Sequence, residues 1–105
     1  MKRLFCILFC FCCLGLNAQK KNADEHFRLY RYSEAIPLYK EYLQKKPKDY
    51  EASKSLLLAY KYTNNIQGAI EIARNILKLE ETVAEDWYDM VQLLRISGNL
   101  AEARL

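Results

Sequence analysis

Cysteine is absent from most of this 105-residue sequence. All four cysteines, Cys6, Cys10, Cys12 and Cys13, lie in an apolar segment near the N terminus. If that segment is removed, the remaining chain can form no disulfide and offers no thiol nucleophile, so packing alone must stabilise it. With only 3 glycines and 1 histidine, the sequence has no Gly-rich phosphate loop and no paired-histidine zinc motif. We therefore expect no enzyme, no cofactor and no metal.

Two groups of polar side chains could still carry chemistry. Asp24-Glu25-His26 contains metal-ligand types, but consecutive helical residues point about 100° apart and cannot converge on one ion. We expect His26 to be partly buried against a neighbouring helix. Glu85 and Asp89 share a helix face, as the acid and base of a glycosidase can. Nothing else marks a cleft there, and we expect a solvated acidic patch.

The N terminus has the features of a secretory signal peptide. Two cations, Lys2 and Arg3, precede the apolar run Leu4–Leu14. As a helix this run spans only about 16 Å, against roughly 30 Å for a bilayer core. The run and the small residue Ala18 predict a signal peptide at 1–18 and export of the rest. The alternatives are an uncleaved anchor and a lipoprotein, although Cys10 and the later cysteines do not follow a small residue.

The charge balance gives no general reason to expect nucleic acid. Of the 16 basic residues two precede the predicted cleavage point, which leaves 14 against 13 acidic residues and a net charge near +1. A nucleic-acid binder normally has a strongly basic face. Tyr30-Arg31-Tyr32 and Tyr60-Lys61-Tyr62 do interleave aromatic and basic residues, as single-strand binders do. We instead expect Tyr60 in the core and Lys61 in solvent.

One small residue recurs at a fixed interval. Ala35, Ala69 and Ala103 are spaced 34 residues apart, and the amino-acid sequence around each of them is similar. A period of this length with two helices per repeat predicts an all-α fold, a right-handed solenoid of helical hairpins. The predicted helices run over residues 20–30, 33–46, 49–62, 66–79 and 83–96, with a sixth begun at Leu100.

Several local details accompany these helices. Ser33 and Thr82 are expected to cap the second and fifth helices, and Pro37 falls in the first turn of the second, where a missing N–H is tolerated. Tyr30 continues the apolar stripe of the first helix. In the fifth helix an apolar stripe is too broad to be covered by the preceding hairpin. It predicts a truncated reading frame, or self-association or another partner through this uncapped helix. The stripe comprises Trp87, Met90, Val91 and Leu94.

The pattern resembles the tetratricopeptide repeat family. The resemblance implies about two and a half repeats after the leader, over residues 19–49, 50–83 and an incomplete 84–105. Departures are His26 and Leu94 at usual aromatic positions, and Glu81 where Pro47 would recur. The residues that carry the resemblance are Ala23, Ala35, Tyr39, Pro47, Leu56, Tyr60, Ala69, Ala73, Ile76, Trp87, Gly98 and Ala103.

The resemblance implies a non-catalytic scaffold that binds a peptide or partner protein in a concave groove lined by the first helix of each hairpin. The leader followed by repeats is similar to the N-terminal part of exported Bacteroidetes-like envelope proteins, which implies a periplasmic or outer-membrane complex. The alternative is the external sensor domain of a signalling protein. A clamp for a terminal carboxylate is disfavoured, because only Lys20 matches it and acids such as Asp24 stand at other positions. The implied groove residues are Phe27, Arg28, Lys54, Leu58, Lys61, Tyr62, Tyr88, Asp89, Gln92 and Arg95, with Lys54 and Lys61 exposed.

Overall fold

The fold is all-α, as the sequence predicts. A computed structural model describes residues 2–98, with side chains from Gly15 onward, and that range contains five helices and no strand. Ala103 and the helix predicted from Leu100 lie outside the described residues. The five helices are α1 (Lys2–Arg28), α2 (Tyr32–Lys45), α3 (Tyr50–Tyr62), α4 (Ile66–Ile76) and α5 (Ala84–Ile96).

The helix ends recur at the 34-residue spacing of the alanines. This spacing separates the C-terminal residues of α1, α3 and α5, the first residues of α2 and α4, and the first residues of α3 and α5. The turns repeat as well, because Tyr30, Asn64 and Gly98 all have positive φ angles, of 62°, 63° and 83°. The repeat seen in the sequence is therefore also a repeat of backbone conformation.

Each helix packs on the next one along the chain, and α1 also contacts α3. Ala35, Ala69 and Ala73 are buried, and a larger side chain at such positions would push the helices apart. Tyr60 is buried, as predicted. The larger buried side chains of this core include Tyr39, Tyr42, Leu43, Leu56, Leu57, Ile70, Ile76, Met90, Leu93 and Leu94.

Three predicted helix features differ from the structure. The first helix begins at Lys2, not near Lys20, and runs through Ala18 without a break. The fourth ends at Ile76, three residues before the predicted Leu79. Pro37 lies inside α2, as its sixth residue, so the carbonyl of Ser33 has no helical N–H partner. Ser33 is exposed, and water can satisfy its carbonyl.

The predicted caps of α2 and α5 are wrong. Arg31, not Ser33, is the N-cap of α2, because the chain enters that helix directly after the turn. The Thr82 hydroxyl donates to the carbonyl of Ile76, at the end of α4, and so does not cap α5. The first turn of α5 is closed instead by Asp86, which accepts from the backbone N–H of Val83 at 3.0 Å.

Candidate binding surface

The predicted groove residues lie on α1, α3 and α5, which are neighbours through the α1–α3 contact and through ion pairs between α3 and α5. They fall into three groups. Lys54, Lys61 and Asp89 form ion pairs with each other or with Asp86. Phe27 and Tyr62 join an aromatic cluster. The remaining residues, distributed along the three helices, are Arg28, Leu58, Tyr88, Gln92 and Arg95.

The charged group joins α3 to α5. The ammonium of Lys54 lies 2.6 Å from Oδ1 of Asp86 and 3.5 Å from Oδ2 of Asp89, and the ammonium of Lys61 lies 3.7 Å from Oδ1 of Asp89. Lys54 and Lys61 are both partly buried, so the prediction that they are exposed was wrong. Asp89 is likewise partly buried and paired, not part of a solvated acidic patch with the exposed Glu85. These charges hold neighbouring helices together.

Asp86 is the centre of this contact. It is only 3% exposed, and its Oδ2 accepts from the Tyr50 hydroxyl at 2.8 Å and from the Val83 N–H at 3.0 Å. Burial alone would raise the pKa of Asp86, but the hydrogen bonds from Lys54, Val83 and Tyr50 outweigh it and hold the pKa below its usual value. Burial would lower the pKa of Lys54, and the bond to Asp86 raises it. The pair is therefore ionised at neutral pH.

A second lysine–aspartate contact joins α1 to the start of α3. The ammonium of Lys20 lies 3.0 Å from Oδ2 of Asp49. The same oxygen accepts from the Tyr42 hydroxyl at 2.6 Å, and Oδ1 of Asp49 accepts from the Ala52 N–H at 3.1 Å. Burial, and then the hydrogen bond to Asp49, raise the pKa of Tyr42 to about 12. Lys20 stands 34 residues before Lys54. The one lysine that matches the carboxylate clamp is thus engaged within the chain.

The Asp24-Glu25-His26 run does not converge on one point. Asp24 accepts a hydrogen bond from the Tyr39 hydroxyl, Glu25 lies 3.3 Å from the guanidinium of Arg28, and His26 Nδ1 lies 3.0 Å from Oε2 of Glu34 on α2. The prediction that His26 is partly buried against a neighbouring helix is confirmed. Within the described residues, no three His, Cys, Asp or Glu side chains are placed to hold a metal ion.

An aromatic cluster lies where the α1–α2 turn meets the C terminus of α3. The ring centres of Tyr32 and Tyr62 are 4.6 Å apart and nearly parallel, at 25°. Tyr30 and Phe27 each meet the ring of Tyr32 edge to face, with centres 6.2 Å and 5.3 Å away. Tyr30 is 80% exposed and Tyr62 is 63% exposed. The prediction that Tyr30 continues the buried stripe of the first helix was wrong, because α1 ends at Arg28 and Tyr30 lies in the turn.

The apolar stripe of α5 is only partly covered. Met90 and Leu94 are buried and Val91 is partly buried, whereas Trp87 is 57% exposed. Val83 and Ile96, at the two ends of the helix, are also exposed. The prediction that the preceding hairpin covers just part of this helix is confirmed for the side chains that the structure describes.

Two features were missed in the sequence. The role of Asp86 was not predicted, because its partners Tyr50 and Lys54 are more than 30 residues away. The packing of Tyr30, Tyr32 and Tyr62 into one cluster was not predicted, since Tyr62 was predicted as a groove residue and Tyr30 as part of the apolar stripe of the first helix. The 34-residue period could have indicated both the lysine–aspartate contact and the tyrosine cluster. It aligns Lys54 with Lys20, and it aligns Tyr30 with the turn residues Asn64 and Gly98.

No protein-family model matches the chain, and no curated protein is significantly similar to it in sequence. Among the helices of residues 2–98, none has both the length and the apolar character needed to cross a membrane.

Proposed function

We propose that the chain is an exported, non-catalytic scaffold of the tetratricopeptide type, which binds a peptide or partner protein along α1, α3 and α5. The supporting observation is the 34-residue recurrence of helix ends and of positive-φ turn residues. A solenoid of about two and a half helical hairpins requires such a recurrence. In this arrangement the first helices of successive hairpins lie side by side and form the groove.

The exposed side chains of these helices favour a partner with apolar groups. The cations Lys54 and Lys61 are balanced by the carboxylates of Asp86 and Asp89, so this group offers a ligand little uncompensated charge. Leu58, Tyr62 and Tyr88 are exposed apolar or aromatic side chains on α3 and α5. Tyrosine combines a large contact area with a hydroxyl and is enriched at protein interfaces. A peptide with apolar residues among polar ones fits this surface.

Export depends on the predicted leader. Removal of residues 1–18 would leave Gln19–Arg28 as a shorter α1. This remnant keeps specific contacts, because Gln19 donates to Glu41 at 3.5 Å and Lys20 pairs with Asp49. Ala23 is fully buried within it. The shortened helix therefore retains the groups that hold it against α2 and α3, in keeping with a mature protein in the periplasm or at the outer membrane.

Selection of a random peptide library displayed on phage tests this proposal. The 105-residue chain should enrich related peptides that compete with one another and bind in the micromolar range. Leu58→Glu, on the proposed groove, should weaken binding of these peptides at least tenfold and leave the melting temperature of the protein unchanged. Gln67→Glu, which adds the same charge at an exposed site on α4, is the matched control and should bind as the original chain. No enrichment, or equal effects of the two variants, would refute a groove of this kind.

A further inference from the structure

Tyr30 adopts a conformation that its residue type disfavours. The turn after α1 is closed by hydrogen bonds from the N–H of Tyr30 to the carbonyl of Phe27 at 3.0 Å and from the N–H of Arg31 to the carbonyl of His26 at 2.8 Å. This is the Schellman arrangement, in which the residue at the Tyr30 position is left-handed and is usually glycine or asparagine. The next two turns of this chain have Asn64 and Gly98 there.

The strained position holds a side chain that contributes little to the core. Tyr30 is 80% exposed, and among the described side chains its ring contacts one other ring, that of Tyr32. A bulky residue with positive φ is an outlier that is retained only when something compensates its cost, and such residues concentrate at binding sites. Packing within the chain gives no sufficient reason for a tyrosine here, which indicates that its ring meets a ligand.

The cluster tyrosines differ from three other tyrosines of the chain in the hydrogen bonding of their hydroxyl groups. Tyr39, Tyr42 and Tyr50 each donate to an aspartate. In the part of the chain that the structure describes, the hydroxyls of the three cluster tyrosines have no hydrogen-bond partner. Three rings and three free hydroxyl donors thus lie together on one exposed edge. They are contributed by Tyr30, Tyr32 and Tyr62.

The charge beside the cluster restricts the class of ligand. Arg28 is paired with Glu25, and Lys61 lies near Asp89. Arg31 is exposed and has no ion pair among residues 2–98. One uncompensated cation is too little for a nucleic-acid strand, which brings one negative charge per nucleotide. It suits a peptide that carries a single carboxylate.

We propose that Tyr30, Tyr32 and Tyr62 bind an extended, proline-containing peptide segment whose acidic side chain pairs with Arg31. A polyproline II segment has no internal hydrogen bonds, so its carbonyls are free to accept from the phenolic hydroxyls, and aromatic surfaces are its usual docking sites. Its rise is about 3.1 Å per residue, so the 6.2 Å between the ring centres of Tyr30 and Tyr32 spans two residues. The inference rests on the proposed function as a peptide-binding scaffold and names its partner class.

Titration by nuclear magnetic resonance tests the inference on the full chain. The probe is a blocked ten-residue peptide in which prolines alternate with alanines around one central glutamate. It should shift the ring signals of the three tyrosines. Tyr30→Asn should raise Kd at least fivefold while the melting temperature stays the same or rises, because asparagine tolerates the left-handed conformation. Asn64→Gly, which changes the corresponding residue of the next turn, is the control and should leave Kd unchanged.

The charge is tested separately. Arg31→Gln should lower the affinity for the glutamate-containing probe to that of a peptide with glutamine in place of the glutamate. The same substitution should leave the affinity for the glutamine peptide unchanged. A peptide with all prolines replaced by alanine should bind at least fivefold more weakly than the probe. Equal binding by Tyr30→Asn and the original chain overturns the inference, and so does tighter binding of a twelve-residue oligothymidylate than of the probe.

The remaining outcomes separate this inference from the proposed function. If the probe shifts the resonance signals of Leu58 and Tyr88 but not those of the three cluster tyrosines, the scaffold proposal stands and the cluster assignment is wrong. The same holds if the probe does not bind but library-selected peptides do. If neither the probe nor any selected peptide binds, both proposals fail.

Discussion

Replacing Asp86 with asparagine tests whether charged contacts between α3 and α5 hold the structure together. Oδ1 of Asp86 accepts from the ammonium of Lys54, whereas Oδ2 accepts from the Tyr50 hydroxyl and the Val83 N–H. Asparagine has nearly the same shape, but one of its terminal atoms is a donor. Whichever way the amide turns, its NH₂ faces a donor on one side. The substitution therefore removes bonds without opening a cavity.

The size of the effect follows from burial. A hydrogen bond to a charged group contributes about 1.5–3 kcal/mol, and removing one partner of a buried ion pair costs about 3–5 kcal/mol. Lys54 is partly exposed and can regain water, which reduces the cost. We expect Asp86→Asn to lower the free energy of unfolding by about 2–4 kcal/mol, and the melting temperature by about 10 °C or more in a domain of this size.

Glu85→Gln is the matched control, because it removes the same charge from the same helical turn at an exposed side chain. It should change stability by less than about 0.5 kcal/mol. Urea unfolding followed by circular dichroism at pH 7 compares the two variants. Equal stability of Asp86→Asn and Glu85→Gln would refute the idea that the buried carboxylate fastens α5 to α3.

Acidification gives an independent check of the same carboxylate. Since the folded pKa of Asp86 lies below its ordinary value of 3.8, its contribution is fully present above that value and is lost as the pH falls through the folded pKa. The stability difference between the original chain and Asp86→Asn should therefore narrow below about pH 4. A difference that stays constant down to pH 2 would point to packing rather than charge.

Four further outcomes are expected. The pKa of Tyr42 is raised from 10.0 to about 12, so stability should fall as the pH rises from 10 to 12, and Tyr42→Phe should lessen that fall in alkaline urea melts. Gly68→Ala should lower the melting temperature although alanine favours helices, because its Cβ would lie 2.6 Å from the Tyr60 ring; the added change Tyr60→Leu should relieve the loss. Mass spectrometry of exported protein should find an N terminus at or near Gln19, and a product that retains the leader cysteines would reject the signal peptide. Sedimentation should show concentration-dependent association that Trp87→Lys abolishes, and a chain that is monomeric at high concentration would contradict association through α5.

The sequence predicted those parts of the fold that depend on local periodicity. The boundaries of α3 and α5 were placed within one residue at each end, because apolar spacing and turn residues there agree. The burial of Ala69 and Tyr60 followed from the same spacing. Capping was less predictable. Ser33 and Thr82 are suitable residue types, but the preceding turn already determines where each helix begins.

The parts of the surface that depend on distant contacts could not be predicted. The local sequence of α3 predicts that Lys54 is a solvated cation, because it does not indicate that a buried carboxylate lies 32 residues later. The exposure of Tyr30 depends on where α1 ends, and an apolar stripe shows only that a helix is present. Periodicity therefore predicted where the helices lie, whereas the pairing across helices decides which of their side chains are exposed.

The two lysine–aspartate contacts explain why binding is expected at the aromatic edge. Lys20 and Lys54 occupy the same place in successive repeats, and each reaches forward to a carboxylate at the start of the next first helix. The carboxylates are not equivalent, because Asp49 is the N-cap of α3 whereas Asp86 lies in the first turn of α5. The repeat thus preserves the cation and allows its partner to shift. Since these charges are used to stack one first helix on the next, Lys20 and Lys54 are not free to select a ligand, whereas Arg31 is exposed and has no ion pair among residues 2–98.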